Sequence, residues 1–208
     1  MDWQLDAVEV RVLGSLLEKE IATPDYYPLS LNALVNACNQ KSNREPVVSY
    51  DDDTVEDALL TLREKGLAQR ITGRDSRVPK HAQSFTEKFN LGRREAAVMC
   101  VLMVRGPQTV GELRGRTERL YTFDDLEAVE STLHRLAEMV FVKQLPRQTG
   151  FKEPRFAQLL SGDVEVAVEE AVAPASGRGL SDRERIAALE VEMAALKREF
   201  EEFRKKFE

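Results

Sequence analysis

The sequence predicts a mainly α protein with small β-hairpins, an α+β chain of two tandem winged-helix domains followed by a C-terminal coiled-coil helix. Three observations predict it. An order of three amphipathic helices and a strand-turn-strand occurs twice, the composition changes after residue 162, and the last stretch repeats apolar residues at alternating spacings of 3 and 4. The boundaries that follow are 1–88 for the first winged-helix domain, 91–162 for the second, 163–180 for a flexible linker and 181–208 for the coiled coil.

The first helix is carried by Leu5, Val8, Val12 and Leu16, with Leu13 and Leu17 widening the apolar stripe and Gly14 marking a close helix approach. A second helix follows Ser30, an N-cap residue, with Leu31, Leu34, Val35 and Cys38 inward and Asn39 and Gln40 at its end. A third starts near Asp53 or Thr54, turns Val55, Ala58, Leu59 and Leu62 inward, and stops at Lys65 and Gly66. Leu67 to Thr72 and Lys80 to Thr86, around the polar turn from Gly73 to Pro79, read as two strands of a wing.

The second copy begins at Leu91. Shifted by 86 positions, Leu5, Glu9, Val12 and Leu16 fall on Leu91, Glu95, Val98 and Leu102; shifted by 74, Val55, Glu56, Leu59, Leu62 and Glu64 fall on Val129, Glu130, Leu133, Leu136 and Glu138. A middle helix over about Thr109 to Arg119 and a hairpin from Phe141 to Gln158 complete it. Three helices and a hairpin, twice, is a duplicated winged helix.

The residues after Ser161 and Gly162 turn to Ala, Val, Glu, Pro and Gly, the composition of a linker. Ser181 to Glu184 matches a capping box. Behind it Ile186, Leu189, Met193, Leu196, Phe200, Phe203 and Phe207 form about three heptads of a coiled-coil seam. Self-association is favoured over packing of this helix on the protein's own domains, so a homodimer through the C-terminal helix is expected.

At 208 residues and 42% apolar content the chain has ample material for packed cores. It shows no signal-peptide pattern and no apolar run of membrane-spanning length, so a cytoplasmic location without membrane contact is expected. Cys38 and Cys100 lack partners at ligand spacing and read as buried thiols. Catalysis is not expected: the two histidines, His81 and His134, have no partner at recognisable spacing, and no phosphate-cradling glycine pattern or metal signature appears. Neither a cofactor nor a metal is called for.

One segment stands apart from core logic. Thr23-Pro-Asp-Tyr-Tyr-Pro-Leu-Ser30 leads into the second helix and Ala37-Cys-Asn-Gln-Lys-Ser-Asn-Arg-Glu-Pro-Val47 leaves it. Together with Arg11-Val-Leu-Gly-Ser-Leu-Leu-Glu-Lys19, this stretch resembles the YceH family of bacterial proteins of unknown function, over residues 2 to about 162. The resemblance implies the tandem winged-helix fold, and it implies no reaction, ligand or binding residue.

Charge then frames the function. The net charge of −6 opposes a protein that coats nucleic acid, yet the tail from Asp163 onward holds 12 acids and 8 bases, leaving residues 1–162 nearly neutral. The loop residues Asn39, Gln40, Lys41, Ser42, Asn43 and Arg44 carry donors suited to phosphates or base edges, or else serve to cap the helix and its turn. The first wing offers Arg70, Arg74, Arg77 and Lys80; the second offers Lys143, Arg147, Lys152 and Arg155. The third helices argue the other way, leading with Asp51, Asp52, Asp53, Glu56 and Asp57 in one copy and Asp124, Asp125, Glu127 and Glu130 in the other, with Asp53 and Asp125 explained as caps. Two functions stay open: binding of double-stranded DNA, in a regulatory role, through the wings and the loop, or a protein-interaction adaptor without DNA contact.

Overall fold

The structure, a computed structural model, describes residues 4–72, 78–147 and 153–162, with Met193 alone beyond them. Residues 1–166 form one compact unit. The second unit is 167–208; the expected linker at 163–180 and coiled-coil seam at 181–208 lie outside the described residues apart from Met193.

Helix α1 spans Ala7–Ala22. Asp6 starts it through a capping box in which its carboxylate accepts from the Glu9 amide and the Glu9 carboxylate accepts from the Asp6 amide, both at 2.8 Å. Leu13, Leu16 and Leu17 are fully buried on it, as their spacing requires. Helix α2 spans Leu31–Cys38 and is capped by Ser30, whose hydroxyl accepts from the Ala33 amide. Helix α3 spans Asp52–Glu64. Its cap is Asp51, which accepts from the Thr54 amide at 2.9 Å; the expected cap, Asp53, instead lies within the first turn.

Strands β2 (Ala68–Ile71) and β3 (Lys80–Gln83) pair antiparallel, with Arg70 opposite His81. Two features escaped the sequence pattern. A two-residue strand β1, Leu29–Ser30, adds to the other edge of β3, giving the order β1-β3-β2. The strand expected to run to Thr86 ends at Gln83, and Phe85–Lys88 is the short helix α4. The reason is tertiary: Phe85 turns into the core and meets Phe89 and Phe141 edge to face at centroid distances of 5.3 and 5.4 Å.

Among the described residues the second half repeats the order with α5 (Arg93–Arg105), α6 (Val110–Thr117) and α7 (Leu126–Glu138), then the antiparallel pair β4 (Val142–Gln144) and β5 (Phe156–Gln158). Thr109 and Glu112 form the capping box of α6, and Asp125 caps α7 as expected. The chain is an α+β protein.

The two halves share a core along α1 and α5. A Cβ on Gly14 would lie 2.8 Å from Met103 Cβ and 2.9 Å from Val104 Cγ1, so only glycine allows this approach. The Cys100 thiol donates to the Gly14 carbonyl at 3.7 Å, and positions 14 and 100 are related by the repeat shift. Equivalent turns of the two first helices therefore face each other. Both cysteines are buried thiols, and burial pushes each above the ordinary thiol range.

Candidate nucleic-acid interface

The loop between α2 and α3 is held from below by two arginines. Arg11, on α1, donates to the Cys38 carbonyl at 3.2 Å and to the Pro46 carbonyl at 2.7 Å. Arg44 donates to the Ala37 carbonyl and, at 2.6 Å, to the Glu18 carboxylate, with its side chain fully buried. This overturns the reading of Arg44 as a donor toward base edges: its guanidinium is spent inside the fold. Asn39 is likewise structural, exchanging hydrogen bonds with the Tyr50 backbone at 2.7 and 2.8 Å. Gln40 is half-buried, while Lys41 and Ser42 are exposed. Asn43 adopts a φ of 59°, a left-handed conformation that Asn tolerates better than most residues, and its amide oxygen accepts from Arg105.

That last contact joins the loop to the second half. Glu18, at the C-terminal end of α1, accepts Arg44 at 2.6 Å, Arg119 at 3.3 Å and Lys19 at 3.5 Å. Burial raises its pKa, but the hydrogen bond from Arg44 and the charges of Arg44, Lys19 and Arg119 overcome this and hold it below the usual carboxylate range. Arg105, at the last turn of α5, is pushed below its ordinary value by burial first and then by the charges of Arg116 and Arg119. Arg116 is bound to the Gln108 amide and to Glu112 at 3.4 Å. Lys19, Arg44 and Arg119 thus gather around Glu18, Arg116 holds Glu112, and Arg105 lies among their charges, a cationic seam. Lys41 is an exposed cation of the 39–46 loop, whereas Arg114 is turned toward the start of α7, donating to the Asp124 carbonyl at 2.8 Å.

Sequence reasoning missed Lys19, Arg105, Arg116 and Arg119. The signal was present in Arg116 and Arg119 along the middle helix of the second copy; their meeting with Arg105 and Glu18 depends on the packing of α1 against α5.

The wing residues are distributed more widely. Arg70 is exposed and Lys80 half-buried on the first hairpin, beside His81, which is 7% exposed. Burial, then the charges of Arg63 and Arg70, push His81 below the ordinary imidazole value. Lys143 and Arg147 are exposed on the second hairpin. Arg155 is turned toward the body, donating to the Pro107 carbonyl at 2.7 Å and pairing with Glu112 at 3.1 Å. Arg74, Arg77 and Lys152 lie outside the described residues. His134 is exposed and sits 3.4 Å from Glu138 on its own helix.

The leading turns of α3 and α7 remain acidic in the fold. Asp52, Asp53, Glu56 and Asp57 are exposed on α3, as are Glu127 and Glu130 on α7. Among the described residues no helix is long and apolar enough to cross a membrane.

Fold and site together define an α+β protein whose second half, three helices and a strand pair, follows the order of the longer elements of the first, with a cationic seam where the halves meet. The chain belongs to the bacterial family described as protein of unknown function DUF480, whose model matches residues 5–151. It is 75% identical over 208 residues to a UPF0502 protein of Solibacter usitatus, covering all of both chains. A UPF0502 protein of Citrifermentans bemidjiense is 54% identical over 196 residues, covering 93% of this chain and 90% of the relative. The UPF0502 protein GSU0233 of Geobacter sulfurreducens is 49% identical over 221 aligned positions, covering all of both chains.

Proposed function

We propose that this chain is a cytoplasmic tandem winged-helix protein that binds double-stranded DNA through its phosphates, with the cationic seam as the main contact and the wings as flanking ones. The observation that carries the reading is the crowding of Arg105, Arg116 and Arg119 upon one another, with Arg105 tied to the 39–46 loop through Asn43. Like charges held together raise one another's energy, and a phosphate oxyanion placed among them relieves that repulsion. Arg119 has 62% of its side chain exposed and is oriented from below by Glu18, so it is presented to solvent in a fixed place. Acidic first turns on α3 and α7 oppose insertion of either third helix into a groove. The mode of contact is therefore positioning on the backbone, with little sequence information. Dimerisation by the C-terminal helix would supply two such seams to one duplex.

The test is a salt series of binding to random duplex DNA. The double variant Arg116→Ala with Arg119→Ala is expected to weaken binding to all sequences alike and to lower the slope of log affinity against log salt by about one for each lost contact. A wild-type affinity no greater than that of an unrelated acidic protein at physiological salt removes the proposal.

A further inference from the structure

The second half carries an open groove beside its hairpin, lined by none of the arginines of the cationic seam. Helices α6 and α7 and the second hairpin enclose a depression of about 620 Å³. Its floor is apolar, formed by Val110, Leu126, Leu133, Ala137 and Phe156. Leu126 keeps 46% of its surface exposed at the rim of the groove. Gly111 adds room, since a Cβ built on it would meet nothing within 4 Å. Two carboxylates, Glu130 and Glu153, border the floor, and His134 beside them is engaged with Glu138. On β4 it is Gln144 that lines the groove; Lys143 points to the other face of the strand.

We propose that this groove docks a basic amphipathic helix of another protein. The charge of the border selects the occupant: carboxylates repel phosphates and attract Lys and Arg, so nucleic acid is disfavoured here and a cationic peptide favoured. The shape selects its form. The α7 residues that line the groove run from Leu126 to Ala137, a length of roughly 16 Å at the α-helical rise, which matches about three turns of a helix laid along it with apolar anchors at i, i+4 and i+7. Leu126 and Phe156 would receive the anchors while Glu130 and Glu153 pair with flanking cations.

The probe is a fluorescein-labelled synthetic peptide of about four helical turns with Leu at every third or fourth place and Lys elsewhere, read by anisotropy against the full chain. Gly111→Leu fills the groove at an exposed helical position with free space, and it improves helix propensity, so lost binding cannot be assigned to unfolding. The expected result is saturable binding weakened at least about tenfold by Gly111→Leu and by Leu126→Asp. Leu60→Asp, which alters an equally exposed leucine on the acidic α3, should leave it unchanged. A matched peptide with Glu in place of Lys should not bind. Binding that survives Gly111→Leu, falls equally in Leu60→Asp, or persists with the Glu peptide overturns the proposal. Self-association of the chain lost on Gly111→Leu would overturn it too, by giving the groove to a second copy.

Discussion

Arg44 and Lys41 are separated by two residues in one polar loop, yet they end in opposite environments. Lys41 faces solvent, while Arg44 is sealed against Glu18. A buried pair of this kind gains little over an apolar pair, but removing one partner strands the other and costs roughly 3–5 kcal/mol. Arg44 thus sets the height of the loop and leaves Arg119, on the same carboxylate, to face outward. His81 is the opposite case, a buried side chain whose Nδ1 has no hydrogen-bond partner among the described residues. Its pKa lies below 6.5 in the folded chain. The unfolded chain therefore binds the proton more tightly, and the contribution of this residue is full above about pH 6.5 and is lost as pH falls toward the folded value. Denaturant unfolding of wild type should show stability declining from pH 7 to pH 5, and His81→Leu should flatten that decline. An unchanged pH profile in the variant would assign the loss elsewhere.

The ends of α3 and α7 are the same device built with different residues. Gly66 and Val140, related by the shift of 74, both have positive φ, 67° and 61°. In each, the next amide bonds back to the helix: Leu67 to the Leu62 carbonyl and Phe141 to the Leu136 carbonyl, at 2.8 and 2.9 Å. This is the left-handed C-terminal turn that glycine adopts without steric penalty and a β-branched residue does not. Val140 is 59% exposed, so its side chain returns little through packing. Val140→Gly is therefore expected to stabilise the protein by about 1 kcal/mol, raising Tm by roughly 2–4 °C. A lower Tm in the variant would show that the valine is held by contacts stronger than the strain. The repeated helices were legible because each carries an unbroken apolar period and a capping residue. Strand β1 and helix α4 were not, because two residues and one turn are too short to hold a period, and both exist through partners far away in the chain.

The two halves behave as one body because α1 and α5 meet through equivalent turns and because Phe85 of the first half packs on Phe141 of the second. The chain closes on itself at Leu160, whose carbonyl accepts from the Leu5 amide at 2.7 Å. A chain ending at Gly162 therefore retains every contact of this core described above. It should unfold in a single cooperative transition and sediment as a monomer, while the full chain, with its seam from Ile186 to Phe207, sediments as a dimer. Separate melting of two halves in the shortened chain would contradict the shared core, and a monomeric full chain would remove the role assigned to the seam.

The sequence by itself determined the α+β class, the helix caps at Ser30 and Asp125 and the inward faces of the long helices, because each follows from interactions within one or two turns of chain. It also marked the 39–46 loop as polar and the third helices as acidic. Which donors of that loop face outward was decided only by tertiary structure. Arg44 and Asn39 are consumed by Glu18 and Tyr50, partners 26 and 11 positions away. Arg105 meets the loop, and Arg119 meets Glu18, only because Gly14 lets α5 approach α1. A charge written in sequence has a sign but no direction, and direction is set by which surfaces the apolar core brings together.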